Sequence, residues 1–168
     1  DSKTNYYEYF YDAEGYVILE NYNDGTMVTE YTYDAQHNLI TAITTFDSGE
    51  QLGTTYFYNS DGDVIQTNYV NYHGELTTTV YYYSNGNLSM SIATEEDGST
   101  ETTWYTYDSN NLLVHEVSHT VNEYHPAEYP YESTIDYSYF EDGRLKTETW
   151  TFDDGDQSTT EYIYDENG

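Results

Sequence analysis

Residues 31–39 read YTYDAQHNL, from Tyr31 to Leu39, and the same pattern returns along the chain. Tyr105–Leu113 reads YTYDSNNLL, and Tyr9–Val17 reads YFYDAEGYV. Tyr-x-Tyr pairs stand at Tyr9/Tyr11, Tyr31/Tyr33, Tyr56/Tyr58, Tyr81/Tyr83, Tyr105/Tyr107, Tyr137/Tyr139 and Tyr162/Tyr164. Successive first tyrosines are 22, 25, 25, 24, 32 and 25 residues apart. A recurring period of this size marks a repeat architecture, so the repeat unit decides the fold.

Each pair is followed by Asp12, Asp34, Asn59, Ser84, Asp108, Phe140 or Asp165. All but Phe140 can fold a side-chain oxygen back onto the backbone and start a turn. Next comes a residue tolerant of positive φ: Gly15, His37 (or Asn38 in its place), Gly62, Gly86, Asn111, Gly143 or Gly168. An aliphatic lies two residues on, at Val17, Leu39, Val64, Leu88, Leu113 and Leu145. The unit is therefore Y-x-Y-D-x-x-G-x-L, and the fourth copy, Ser84 to Leu88, is one residue shorter.

This unit predicts a hairpin. Tyr-x-Tyr ends one strand with both rings on one face, and D-x-x-G is a type I turn with a glycine bulge. A second turn set, Asp24-Gly25, Ser48-Gly49, His73-Gly74, Asp97-Gly98 and Asp154-Gly155, lies midway between copies. Ten of the eleven glycines fall in these two sets, and Gly53 alone does not. The expected fold is all-β: an antiparallel meander of six to seven repeated hairpins, about 13 strands, in one repeat domain over residues 1–168. At ~4.8 Å per strand, a flat sheet of that size would be roughly 60 Å wide, so it is expected to curl or spiral. The tyrosine and aliphatic face should line the inside, with carboxylates on turns and on the outer face.

Composition narrows the function. The chain of 168 residues carries 32 Asp+Glu against 3 Lys/Arg, for a net charge of −29. Such a surface repels phosphate backbones and anionic lipid, so no nucleic-acid or anionic-membrane partner is expected. No stretch approaches the ~18 apolar residues of a membrane helix. Cysteine is absent, which removes thiolate chemistry. Aromatic residues make up 18% of the chain and tyrosine alone numbers 24, enough to reverse the disorder that high acidity would otherwise suggest. Tyrosine supplies a ring to bury and a hydroxyl to leave wet, which suits thin sheets.

The seven in-register units resemble the YD repeat of the Rhs/YD-repeat family, the likeness running from about Glu8 to Gly168. The resemblance implies a large bacterial secreted or surface protein. In that family the repeats build β-sheet spirals that serve as shells around toxin domains or as carbohydrate-binding surfaces. It also implies that this chain is a fragment, or the exported part, of something longer. A fainter resemblance is to aromatic hairpin repeats that bind choline or glucan.

Three stretches could carry chemistry. His115-Glu116-Val117-Ser118-His119 matches the zinc-peptidase string HExxH, which needs a helix to bring both histidines to one metal. On the expected strand the histidines share a face ~13 Å apart and Glu116 faces the other way. Acidic glycine turns at Asn59–Asp63 and Asp153–Asp156 could attract calcium, but neither has the spaced ligand set of an EF-hand. The segment 121–133, VNEYHPAEYPYES, accounts for the 32-residue spacing and holds both prolines. Aromatic rings stack on sugars, so Tyr124, Tyr129 and Tyr131 in this segment, with Trp104 and Trp150, are the candidate ligand-binding residues. Both tryptophans are expected to face outward.

The expected function is a non-catalytic extracellular module that binds carbohydrate or another surface ligand through aromatic side chains. The alternative is a structural spacer or shell-forming repeat. No enzyme activity, cofactor or metal is expected. A glycan or surface protein is the expected partner, and a monomer or weak oligomer the expected state.

Overall fold

A computed structural model describes residues 6–23, 25–122 and 131–164. Thirteen strands follow one another: β1 (Tyr7–Tyr11), β2 (Val17–Tyr22), β3 (Met27–Tyr33), β4 (Leu39–Phe46), β5 (Gln51–Tyr58), β6 (Val64–Val70), β7 (Leu76–Ser84), β8 (Asn87–Glu95), β9 (Thr100–Tyr107), β10 (Leu113–Val121), β11 (Tyr131–Tyr139), β12 (Leu145–Thr151) and β13 (Gln157–Glu161). Each strand neighbours the next in one open, antiparallel sheet, and the described residues contain no helix. This is the expected meander of hairpins. The chain forms two compact units, Asp1–Val80 and Tyr81–Gly168.

The turn chemistry follows from the repeat. In the first copy the Gly15 N–H donates to the Asp12 carbonyl at 3.3 Å, and the Asp12 N–H donates to the Tyr16 carbonyl at 2.9 Å. Gly15 has φ of 92°, as a type I turn closed by a glycine bulge requires. The same bond pair frames Asp34–Asn38, Asn59–Asp63 and Asp108–Leu112. His37 (φ 63°), not Asn38, takes the left-handed position of the second copy, and Asn111 (φ 68°) takes it in the fifth. The turn-starting side chain adds a second clasp: Asp34 Oδ1 accepts the N–H groups of Gln36 and Asn38 at 2.8 and 2.9 Å. Asp12, Asn59 and Asp108 do the same. The shortened fourth copy is a two-residue turn, Asn85-Gly86, with both φ positive (54° and 82°) as a type I′ hairpin demands.

The return strands hold a feature the sequence did not announce. The register slips by one residue just after the aliphatic in the hairpins β1–β2, β3–β4, β5–β6, β9–β10 and β11–β12. The extra residues are Ile18, Ile40, Ile65, Val114 and Lys146. A bulge at this fixed place in the five hairpins adds local twist and moves every later residue of the return strand to the face opposite the one plain alternation would give.

Little of the sheet is deeply buried. Ile135 is the buried hydrophobic side chain among the described residues, beside the polar Thr29, Ser91, Ser99, Thr103 and Asn122. Hydroxyl pairs bridge neighbouring strands where another protein would place hydrocarbon: Thr29 with Thr44 and Thr103 with Ser118, each at 2.9 Å. Such cross-strand pairs, rather than a thick core, are the unit of cohesion here.

Candidate functional site: the tyrosine face

In the pairs Tyr31/Tyr33, Tyr137/Tyr139 and Tyr162/Tyr164 the two tyrosines have separate tasks, and Tyr58 and Tyr105 each follow the same pattern. The second donates its hydroxyl to the backbone carbonyl of the aliphatic residue one repeat earlier. Tyr33 reaches Val17 O (2.8 Å), Tyr58 reaches Leu39 O (2.8 Å), Tyr139 reaches Leu113 O (2.7 Å) and Tyr164 reaches Leu145 O (2.9 Å). The first tyrosine addresses the residue three positions beyond that aliphatic. Tyr31 donates to Glu20 (3.0 Å), Tyr137 to Glu116 (2.7 Å) and Tyr162 to Glu148 (2.9 Å), while Tyr105 pairs with Ser91 (3.1 Å). The result is a ladder of phenols in which Tyr31, Tyr33, Tyr58, Tyr105, Tyr137, Tyr139, Tyr162 and Tyr164 are each fastened to the preceding hairpin.

The ladder shifts the phenol titrations. Burial, then the hydrogen bond to Glu20, pushes Tyr31 up to about 12. Burial and the bond to Glu116 push Tyr137 higher still. Tyr162 is raised mainly through its bond to Glu148. In each case ionisation would set a phenolate against a carboxylate or strip it of water.

Glu116, the would-be general base of HExxH, is therefore a ladder acceptor. It pairs across the sheet with Tyr105 and Ile135, whereas His115 stands opposite Thr106 and Asp136. His115 Nδ1 lies 2.7 Å from Asp136 Oδ1 on that other face. The acidic turns likewise spend their oxygens on backbone: Asn59 Oδ1 accepts two N–H groups, and Asp154 Oδ1 accepts the Asp156 N–H at 2.9 Å. Among the described residues no three His, Asp or Glu side chains converge as a metal site.

The aromatic candidates do not assemble into one platform. Trp104 stands opposite Met90 and Val117, on the face away from the tyrosine pairs, and is 43% exposed. Trp150, 39% exposed, lies on the tyrosine face rather than the opposite one. It stands opposite Ile135 and Ser158, on the tyrosine face, and its indole N–H donates to Glu148 Oε1 at 3.0 Å. The physical reason is strand alternation: Trp150 is two residues from Glu148, which accepts from Tyr162 on that face. Tyr131 stands opposite Thr120 and lines a cleft of about 150 Å³ with Glu95, Ser99 and Glu101. Tyr124 and Tyr129 lie outside the described residues. Sequence reasoning missed Glu20, Glu116 and Glu148 as a set. Counting three residues past each aliphatic would have found them.

Positive charge is too sparse to balance the sheet. The described ion pairs are Arg144 with Asp142 (2.8 Å) and His115 with Asp136. Self-repulsion at −29 is therefore screened mainly by solvent ions. The melting temperature is expected to rise between about 10 mM and about 500 mM NaCl, where the Debye length falls from ~30 Å toward ~4 Å. A flat response in a thermal scan would show that the charges are too dispersed to matter.

With this geometry in hand, the fold can be placed among known structures. The chain is similar to part of the crystal structure of TcdB2-TccC3-TEV, with a TM-score of 0.54, 13% identity and 92% of this chain covered. It is also similar to the Photorhabdus luminescens Tc holotoxin pore carrying TccC3-D651A, at TM-score 0.46, 14% identity and 92% coverage. It spans about a tenth of the length of those chains, 10% and 9% respectively. At such identity the likeness is one of fold. No family model and no curated protein matches the sequence.

Proposed function

We propose that the chain is a structural wall module: a run of YD-type hairpins that forms part of a shell or spacer of an extracellular protein. The observation that carries this reading is the tyrosine ladder. The hydroxyls of Tyr31, Tyr33, Tyr58, Tyr137, Tyr139, Tyr162 and Tyr164 are committed to fastening one hairpin to the next. The fold likeness to part of TcdB2-TccC3-TEV and the YD-repeat resemblance support the same reading. No catalytic step is part of it: Glu20, Glu116 and Glu148 accept from phenols, and Asp12, Asp34 and Asp108 accept turn N–H groups.

The sugar-binding alternative draws on Trp104 as an exposed ring. It loses Trp150 as a second ring beside it, because the two tryptophans occupy opposite faces. A glycan and polysaccharide screen on the folded chain, repeated with Trp104→Ala, tests the choice. The wall reading expects no saturable hit. A hit abolished by Trp104→Ala would replace it with a binding module.

A further inference from the structure

Tyr7 of β1 and Tyr22 of β2 stand directly opposite each other across their hairpin. Their ring centroids are 4.8 Å apart, with the planes inclined by 43°. The pairs Tyr16–Tyr33 and Tyr7–Tyr9 are wider, at 5.4 and 6.3 Å. Cross-strand partners hold their Cβ atoms about 4.5–5.5 Å apart, so the sheet itself keeps the two rings within reach of each other. Neither phenol serves the ladder. Tyr33 and Tyr58 give their hydroxyls to backbone carbonyls, whereas among the described residues the hydroxyls of Tyr7 and Tyr22 have no partner. Tyr22 is half-buried, and Tyr7 is 50% exposed and open to a soluble oxidant.

We infer that Tyr7 and Tyr22 are a modification site, joined as dityrosine by a haem peroxidase that uses hydrogen peroxide. Each phenol loses one electron and its hydroxyl proton, which leaves a phenoxyl radical with spin on the ring carbons ortho to oxygen. A Cε of Tyr7 then bonds to a Cε of Tyr22. The hydrogen on each joined carbon moves as a proton to the oxygen of its own ring, so both phenols are restored. Two hydrogen atoms leave in total, and the peroxide that takes them up becomes two waters. Coupling within the chain draws on rings already held in contact. Coupling between chains requires two molecules of net charge −29 to meet, against their mutual repulsion. The product ties β1 to β2 covalently and leaves every ladder bond in place. The inference rests on the wall reading only for its extracellular setting, and the two fail separately. A glycan hit would leave the cross-link intact, and a chain that does not couple would remain a wall module.

The test treats the folded full chain with a haem peroxidase and limiting hydrogen peroxide at low ionic strength, where repulsion between chains is least screened. Dityrosine fluorescence is expected in the monomer fraction, with a mass loss of two hydrogens per chain. Cleavage after glutamate should release residues 1–8 joined to residues 21–30, a fragment in which Tyr22 is the sole tyrosine. Tyr7→Phe and Tyr22→Phe keep the ring and lose the hydroxyl, and each should abolish the joined fragment. Tyr6→Phe, in the same N-terminal fragment, should leave it. Chain unfolded in urea should lose the joined fragment in favour of mixed products. Persistence of that fragment in Tyr7→Phe or Tyr22→Phe, or an equal yield from unfolded chain, would overturn the assignment. So would coupling chiefly between chains, or a folded monomer that forms no dityrosine.

Discussion

Replacing Gly53 with alanine is expected to lower the melting temperature by about 2–10 °C. Gly53 sits within β5, opposite Ile43 of β4 and Val70 of β6. A Cβ there would lie 2.5 Å from Ile43 Cδ1, 2.6 Å from the Ala42 carbonyl oxygen and 2.9 Å from Ile43 Cα. The side-chain contact could yield, but the two backbone contacts cannot without moving β4. Overpacking of this kind costs about 1–3 kcal/mol. Shortening Ile43 to valine in the same background removes the Cδ1 contact and should restore only part of the loss. Gly15 makes the contrast: a Cβ there meets nothing within 4 Å, and its substitution is penalised through φ of 92° instead. Thermal denaturation followed by circular dichroism reads all three variants, and an unchanged midpoint for Gly53→Ala would show that β4 and β5 separate freely.

Alkaline pH should unfold the protein cooperatively. A phenol whose folded-state pKa is raised holds its proton more tightly when folded. Its stabilising contribution is complete below the ordinary tyrosine value near 10 and is lost as pH climbs through the raised value. Tyr31, pushed up to about 12, and Tyr137, pushed further, define the upper part of that window. Tyr9, Tyr58, Tyr105, Tyr107, Tyr139 and Tyr162 are shifted in the same direction. Each phenolate also adds negative charge to a chain already at −29. Melting temperature should therefore fall steeply above about pH 10, and tyrosinate absorbance should rise in a step that coincides with loss of strand signal. Glu116→Gln removes the carboxylate facing Tyr137 and should make that dependence shallower. A smooth titration of all tyrosines with the fold intact at pH 12 would contradict the ladder.

The fold was legible because the repeat carries its own punctuation. Asp12, Asp34, Asn59 and Asp108 announce turns by chemistry that acts within five residues, and the Asn85-Gly86 contraction announces a tighter one. The ladder was less legible because it joins residues up to 26 positions apart, as Tyr139 and Leu113 are. One of its partners is a backbone carbonyl that no residue type marks. The bulges at Ile18, Ile40, Ile65, Val114 and Lys146 were hidden for a similar reason: five side chains of mixed character share a place in the register, not a chemistry. Gly53 stood out as the one glycine beyond the turn sets, but its cause lies in the strand opposite. Trp150 was misplaced because the return strand's faces can be assigned only after its bulge is counted.

The direction of the phenol bonds bears on how such a chain comes into being. Every described ladder hydroxyl reaches backward, toward a hairpin nearer the N-terminus. Synthesis and export through a narrow passage both can deliver the N-terminal end first, and units that contact only their neighbours can then add one at a time. Each newly emerged tyrosine pair meets acceptors that already exist, and none has to wait for sequence still to come. Hairpins of this kind can fold in chain order, each closing on the one before it.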